Sequence, residues 1–352
     1  MVPRIAFILL LAASTMAAGQ SPAAPQPETP KDPRALLDAA AKHYDFDSPE
    51  MKPWHLKATY QLYDLKGDPA ERGTWEYWWA SPKVHRSSWT RGGAERTEWH
   101  TQDGNYRSGN SSDLKFLERT LRSKVLPNLP GKNDLNSPKT LLDGKREQSG
   151  AEPLNCVQVR HKWEHNGKLE TPPLSVAQAY CMDPSTLAMR TERSPGGLAT
   201  AYGQILEFQH RYVARHMEIV FEKRTLLSAE VETVEEWTPE SGVLMPPPNA
   251  MAVAEQIDSF GDGVAGGELT RMVRPTYPAS AKMTKQQGPV LVGATVGIDG
   301  RVNYLDVLAA PSPLFVSSAT QCVEGWEYKP FTYEGKPVEM NMLLGVIYTL
   351  DH

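Results

Sequence analysis

Five consecutive residues, His161-Lys162-Trp163-Glu164-His165, carry the most suggestive chemistry in the chain. His-x-x-Glu-His is the spacing of an inverted zinc protease motif: two imidazoles for the metal and a carboxylate to activate water. That chemistry needs a helix, on which residues i and i+4 stand about 6 Å apart on one face. Here Val157, Val159 and Trp163 alternate and Asn166-Gly167 follows at once, so the segment reads as a strand. Four residues along a strand set the imidazoles roughly 13 Å apart, too far to share one ion. They read as surface or rim histidines.

Other candidates fall to the same test of context. Gly261-Asp-Gly263-Val-Ala-Gly266 matches G-x-G-x-x-G, but Gly267-Glu-Leu-Thr and then Pro275 follow, not a helix to receive phosphates. No Gly-x-Ser-x-Gly elbow occurs, and Cys322 sits on the apolar side of an expected helix, where a thiol is inert. Glu235 and Glu236 point to opposite faces of a strand, and Asp299 belongs to a turn. Nothing assembles into an active site. No cofactor, no metal and no enzymatic activity are expected.

The cysteines bear on compartment instead. Cys156 and Cys181 lie in strand-like segments either side of a turn-rich connection, leaving Cys322 over. A tight turn at Asn166-Gly167 would set Cys156 opposite Ala177, four positions short of Cys181. A Cys156–Cys181 disulfide therefore requires a wider loop centred near Lys168-Leu169.

The elements that would position any site belong to a chain of 352 residues with 29 Pro and 26 Gly, long enough for two domains. The net charge is −5 with signs interspersed, which gives no basic stripe for nucleic acid. Arg4, the apolar run Ile5 to Ala13 and the small residues from Ser14 to Gly19 read as a secretory signal over residues 1–20. The run is shorter than the ~20 residues a spanning helix needs. An uncleaved inner-membrane anchor is the other reading of this leader; an exported, periplasmic protein is the expectation.

Residues 21–34 form a Pro-rich linker that cannot bury a core. Asp32-Pro33 opens a helix whose Leu36, Leu37, Ala40 and Ala41 share one side. Strands follow. Leu56, Ala58, Tyr60 and Leu62 alternate with polar residues, and Trp75, Tyr77 and Trp79 share a face. Further strand-like segments continue to Trp237, interrupted chiefly by a helical piece from Asp113 to Val125. Strands at this spacing with few helices imply a large, strongly curved antiparallel sheet over 35–247. Pro246-Pro-Pro248 and the Gly-rich stretch mark a linker, 248–272.

Residues 273–352 read as a small α+β domain. A short helix from Ala279 precedes the alternating strand Val290 to Ile298, and Asp299-Gly300 signals a type I′ hairpin. Ser312 is placed to cap a helix opened by Pro313. On that helix Phe315, Ala319, Cys322 and Trp326 line one face. Lys329-Pro330 ends the helical geometry, Glu334-Gly335-Lys336-Pro337 reverses the chain, and Val338 to Leu350 alternate through a last strand.

This order resembles the C-terminal domain of the TonB family. The matching residues are Tyr277-Pro278-x-x-Ala281, Gly288-x-Val290, Val296-x-x-Asp299-Gly300-x-Val302, Ala319, Trp326-x-Tyr-Lys-Pro330 and Gly335-Lys-Pro337-Val338. The resemblance implies a periplasmic module that adds a short peptide from an outer-membrane or other envelope protein to an exposed sheet edge. It places the peptide site at Tyr277 and Pro278 and along Val338, Met340, Met342, Leu344 and Val346. Transducers of that family resemble a membrane helix carrying a His and a very long Pro-rich spacer. The leader here has no His and the Pro-rich piece is short, so no energy transduction is expected.

The middle region resembles the periplasmic lipoprotein-carrier, LolA-like superfamily through Leu36 to Tyr44, Leu56 to Tyr63 and Gly73-Thr-Trp-x-x-Trp-Trp-x-Ser-Pro82-x-x-x-Arg86. That superfamily is a half-barrel whose apolar concave face, lidded by helices, holds acyl chains. The resemblance makes Trp75, Tyr77 and Trp79 an apolar ligand face; the alternative is ordinary core aromatics. Two functions follow as expectations: an envelope interaction protein gripping a peptide by strand addition, or a carrier or sensor of lipid or lipoprotein.

Overall fold

The computed structural model describes residues 32–109, 114–149, 152–165, 168–172, 177–240, 242–258 and 263–350. The leader, residues 21–31 of the Pro-rich piece, and Asn166-Gly167 lie outside them. Helix α1, Pro33–Ala41, starts where Asp32 accepts a hydrogen bond from Ala35 N at 2.9 Å, and it buries Leu36, Leu37 and Ala40. A meander follows: β1 Trp54–Tyr63, β2 Pro69–Ser81, β3 Val84–Arg91, β4 Ala94–Thr101 and β5 Gly104–Gly109. Burial alternates as period-two patterning demands: Trp54, Leu56, Ala58, Tyr60, Trp75, Tyr77 and Trp79 face inward.

The helical piece expected from Asp113 to Val125 is broken. Helices α2, Phe116–Arg119, and α3, Leu121–Val125, meet at Thr120, whose backbone leaves helical geometry. Helix α4, Lys132–Asn136, leads to β6 Thr140–Ser149 and β7 Glu152–His161. Then β8 Trp163–His165 and β9 Lys168–Glu170 form their own hairpin, with His165 opposite Lys168. Strand β10, Gln178–Met182, pairs with β7 in the register that sets Cys181, rather than Ala177, opposite Cys156. The two sulfurs are bonded at 2.06 Å. Strands β11 Met189–Arg193, β12 Leu198–Phe208, β13 Arg211–Phe221 and β14 Arg224–Glu236 complete an antiparallel run.

The junction does not run free. Strand β15, Met251–Val253, joins β5, giving thirteen strands in the order β15-β5-β4-β3-β2-β1-β14-β13-β12-β11-β10-β7-β6. The sheet is curved and open. Then β16 Gln256–Ile257, β17 Val264–Ala265 and β18 Leu269–Arg271 each pair with a strand of the C-terminal unit.

That unit contains α5 Ala279–Met283, β19 Gly288–Val296, β20 Val302–Ala309, a 3-10 turn Pro313–Phe315 and α6 Val316–Glu324. After these come β21 Glu327–Tyr328, β22 Thr332–Tyr333, β23 Lys336–Pro337 and β24 Glu339–Tyr348. The main sheet order is β16-β24-β19-β20. Ser312 caps the turn by accepting from Leu314 N, and α6 buries Ala319, Cys322 and Val323 against Val290, Val292 and Val346.

One turn differs from expectation. Gly300 has φ 81°, but Asp299 is not in the left-handed region, and the bonds Gly297 N to Arg301 O and Gly300 N to Gly297 O enclose three residues. This is a three-residue hairpin closed by a left-handed Gly, not a type I′ turn. The two successive positive φ values of type I′ occur instead at Glu334 (48°) and Gly335 (80°), between Tyr333 and Lys336. The face of β19 and β20 away from α6 is not solvent. Leu291, Leu308 and Ala309 belong to the same apolar cluster as the large sheet's interior, and Tyr304 and Leu343 pack on it.

Candidate functional site

Strand β24 lies between β19 and the two residues of β16. Glu339 N donates to Glu255 O at 2.8 Å, so odd-numbered residues of β24 turn their main chain away from β19. The register along β19 is unbroken from Met340 to Tyr348, which carries this parity to the strand's end. Pro289, which has no N–H to give, sits opposite Ile347 and agrees with it. Segment 255–258 occupies the edge as far as Asn341, whose side chain donates to Asp258 at 2.6 Å and accepts from Thr295 at 2.7 Å. Beyond Asn341, among the described residues, no strand pairs with that edge. Leu343, Gly345 and Ile347 therefore present outward N–H and C=O groups, beside an Ile347 side chain that is 68 % exposed.

The side chains singled out from the sequence lie elsewhere. Val338, Met340, Leu344 and Val346 are buried in the unit's own core and Met342 is half-buried. The main-chain groups of Met340, Met342, Leu344 and Val346 face β19, while Val338 N donates to Phe331 O at 3.1 Å. Tyr277 packs edge-on against Phe315 (5.7 Å) and Tyr348 (5.6 Å) and donates to Gln286 O, so it braces the unit with Pro278 at the mouth of α5. The parity of this edge is fixed by its pairing with β16, whose two residues carry no periodicity in the sequence.

The concave face is built and filled. Trp54 stacks on Trp79 at 6.1 Å and leans on Tyr77 at 5.3 Å. Over Trp75, Tyr77 and Trp79 sit Leu117, Leu121, Val125 and Leu126 of the α2–α3 lid, all buried in one cluster with them. Three polar anchors tie this lid to the sheet. Buried Glu118 accepts from the Tyr60 hydroxyl and from Arg91 Nε at 2.9 Å. Arg122 donates to both oxygens of Asp47 at 2.7 Å and to the Tyr77 hydroxyl at 3.0 Å. Lys124 reaches Glu192 at 3.2 Å, and Glu192 also accepts from Gln178 and Tyr202.

Electrostatics follow from this burial. Desolvation and then the Glu118 charge push the Tyr60 hydroxyl far above its ordinary value; burial, helped by the Asp47 charge, lifts Tyr77 to about 12 against the pull of Arg122. His85 stacks on His100 at 4.7 Å, and burial, Arg122 and His100 hold it well below the ordinary imidazole value. Trp54 and Trp75 each keep a buried indole N–H without a partner. An open groove of about 290 Å³ lies outside the lid, between Leu206, Phe208, Arg215, Val231 and Val234, where β13 and β14 part.

Glu147, Cys156 and Cys181 come within reach of a common point, but both sulfurs are in the disulfide and cannot serve as thiolates. Cys322 donates to Val273 O at 3.0 Å, and burial raises its thiol. His161 ends β7 beside Asp134 and Thr140. No described helix is long and apolar enough to cross a membrane.

Comparison with known proteins finds matches to parts of the chain. Residues 273–350 match the family model described as the Gram-negative bacterial TonB protein C-terminal. No curated protein matches the chain. Among solved structures, the TonB CTD of Pseudomonas aeruginosa aligns at 22% identity and a TM-score of 0.22, covering 27% of this chain and 94% of that one. A LolA superfamily protein from Nitrosomonas europaea aligns at 5% identity and a TM-score of 0.36, covering 61% and 97%. A DUF1329 family protein from Desulfovibrio piger aligns at 11% identity and 0.34, covering 60% and 95%.

Proposed function

We propose that the chain is a non-catalytic periplasmic envelope protein whose TonB-like unit binds an extended peptide by adding it to the outer edge of β24. The observation that carries the reading is the main chain of Leu343, Gly345 and Ile347, which no strand among the described residues pairs beyond the short cover of β16. Such an edge takes a strand by main-chain hydrogen bonds and reads alternate side chains through its neighbours. About five bonds at ~1 kcal/mol each correspond to a Kd on the order of 0.1–1 mM. Contact with Ile347 adds the apolar increment. Binding of this kind is transient, which suits a docking event with an outer-membrane or other envelope protein.

The test uses peptides copied from periplasm-facing segments of outer-membrane proteins, followed by amide NMR on the full chain. Binding is expected to shift the amides of Leu343, Gly345 and Ile347. Ile347→Pro is expected to lose binding while costing less than about 1 kcal/mol, because the N–H it removes has no intramolecular partner. Undiminished binding by that variant would refute strand addition here.

A second reading, carriage of lipid or lipoprotein in the half-barrel, draws on one feature. Its aromatic interior is closed by two helical pieces of four and five residues, too short to hold helical form without packing. Acyl chains that co-purify with the intact protein would support this reading.

A further inference from the structure

We infer that the small sheet of the TonB-like unit is a second clamp on the α2–α3 lid, so that the half-barrel interior opens only when that unit lifts away. The inference goes beyond strand addition and does not depend on what β24 binds.

The lid is a middle layer. Its inner side fills the concave face through Leu117, Leu121, Val125 and Leu126, and its three anchors reach Tyr60, Asp47 and Glu192. Its outer side is covered by β19, β20 and the strand that precedes the unit. The Phe116 ring lies so close on Gly293 of β19 that a β-carbon there would collide with it. Phe116 N donates to Asp306 of β20 at 3.3 Å, and the Arg119 guanidinium lies 3.9 Å over the Tyr304 ring. Asp258, just after β16, accepts from Asn341 Nδ2 at 2.6 Å and faces Ser123 of α3. Leu291, Leu308 and Ala309 join the half-barrel's own apolar cluster, so the cover is continuous.

Short helices held from both sides have one way out. Moving inward is blocked by the indoles of Trp54 and Trp75, both fully buried. Outward movement is blocked by the small sheet, with Gly293 as the point of closest approach. Gly293 has room for no side chain because Phe116 fills its place. Emptying the concave face therefore requires the two units to part.

The experiment measures uptake of a dansyl-labelled fatty acid by the full-length chain, together with amide hydrogen exchange over residues 116–125. In a Cys322→Ala background, the pair Phe116→Cys and Gly293→Cys places two β-carbons near enough to bridge after slight relaxation. Oxidation of that pair is expected to abolish uptake, and reductant to restore it, relative to a Cys322→Ala control treated alike. The double variant Tyr304→Ala and Asp306→Ala removes clamp contacts without adding bulk. It is expected to speed lid exchange and uptake by about ten-fold, while exchange along β19 shows that the small unit is still folded. Uptake by the cross-linked protein at the control rate would overturn the inference. So would unchanged lid exchange in the Tyr304→Ala and Asp306→Ala protein.

Discussion

The two main sheets treat their borders in opposite ways. The thirteen-stranded sheet ends on one side in β15, only three residues long, and on the other in β6. Strand β6 is studded with Asp143, Lys145, Arg146 and Glu147, and Pro33 of α1 presses on its Gly144. Short strands, charges and a covering helix are how proteins keep an edge from pairing with strangers. The four-stranded sheet does the reverse: among the described residues no strand pairs with its longest strand from Leu343 to Ile347, beside an exposed Ile347. The large sheet invests in its filled face and the small one in its open edge.

Breaking the filled face should have the largest effect. Trp75→Ala empties a fully buried indole site and should cost about 3–5 kcal/mol in denaturant unfolding of the large unit. Next is Glu118→Ala, which strands the Tyr60 hydroxyl in the interior and takes from Arg91 its buried carboxylate partner, leaving it Glu71; a loss of about 3 kcal/mol is expected by the same measurement.

A pH titration sharpens the contrast further. His85 is held neutral in the fold by burial, Arg122 and His100, whereas in the unfolded chain it takes up a proton near its ordinary value of about 6.5. Its folded value is the lower one, so stability is intact above that pH and declines as pH falls below it, toward the folded value. The slope contributed by this one group reaches ~1.4 kcal/mol per pH unit. His85→Gln should flatten that limb in urea unfolding series run between pH 7 and 5. Smallest of all, Ile347→Ser on the open edge should change stability by no more than about 0.5 kcal/mol and yet weaken peptide binding, measured by NMR titration.

Much of this was readable before the fold was known, and the reasons differ by element. Long alternating strands and capped helices announce themselves: β1, β2 and β24 by period two, α1 by Asp32, and the helix after Ser312 by its cap and its Phe315, Ala319 and Cys322 face. Elements of two or three residues carry no period, so β15 to β18 were read simply as a junction. The lid was read as one helix because nothing in the sequence marks Thr120, whose hydroxyl turns back to Leu117 O. The exchange of turn types has a similar origin. Asp299-Gly300 has the favoured dipeptide, while Glu334 takes a positive φ against its preference because β22 and β23 close over two residues.

The site was half legible. Alternation along Val338 to Leu350 shows that one set of side chains is buried, but not that the opposite set carries the open main chain. Alternation shows that Trp75, Tyr77 and Trp79 share one buried face, yet their covering by Leu117 and Leu121 is a contact between distant segments. So is the seat of Phe116 on Gly293, which joins the two units and has no local signature.

Amide hydrogen exchange along β24 in the free, full-length protein tests the central claim most directly. The open edge predicts alternation: Leu343, Gly345 and Ile347 exchange fast, while Met342, Leu344 and Val346 are protected by β19. Uniform protection from Met342 to Ile347 would mean that the edge is already taken, and strand addition there would have to be abandoned.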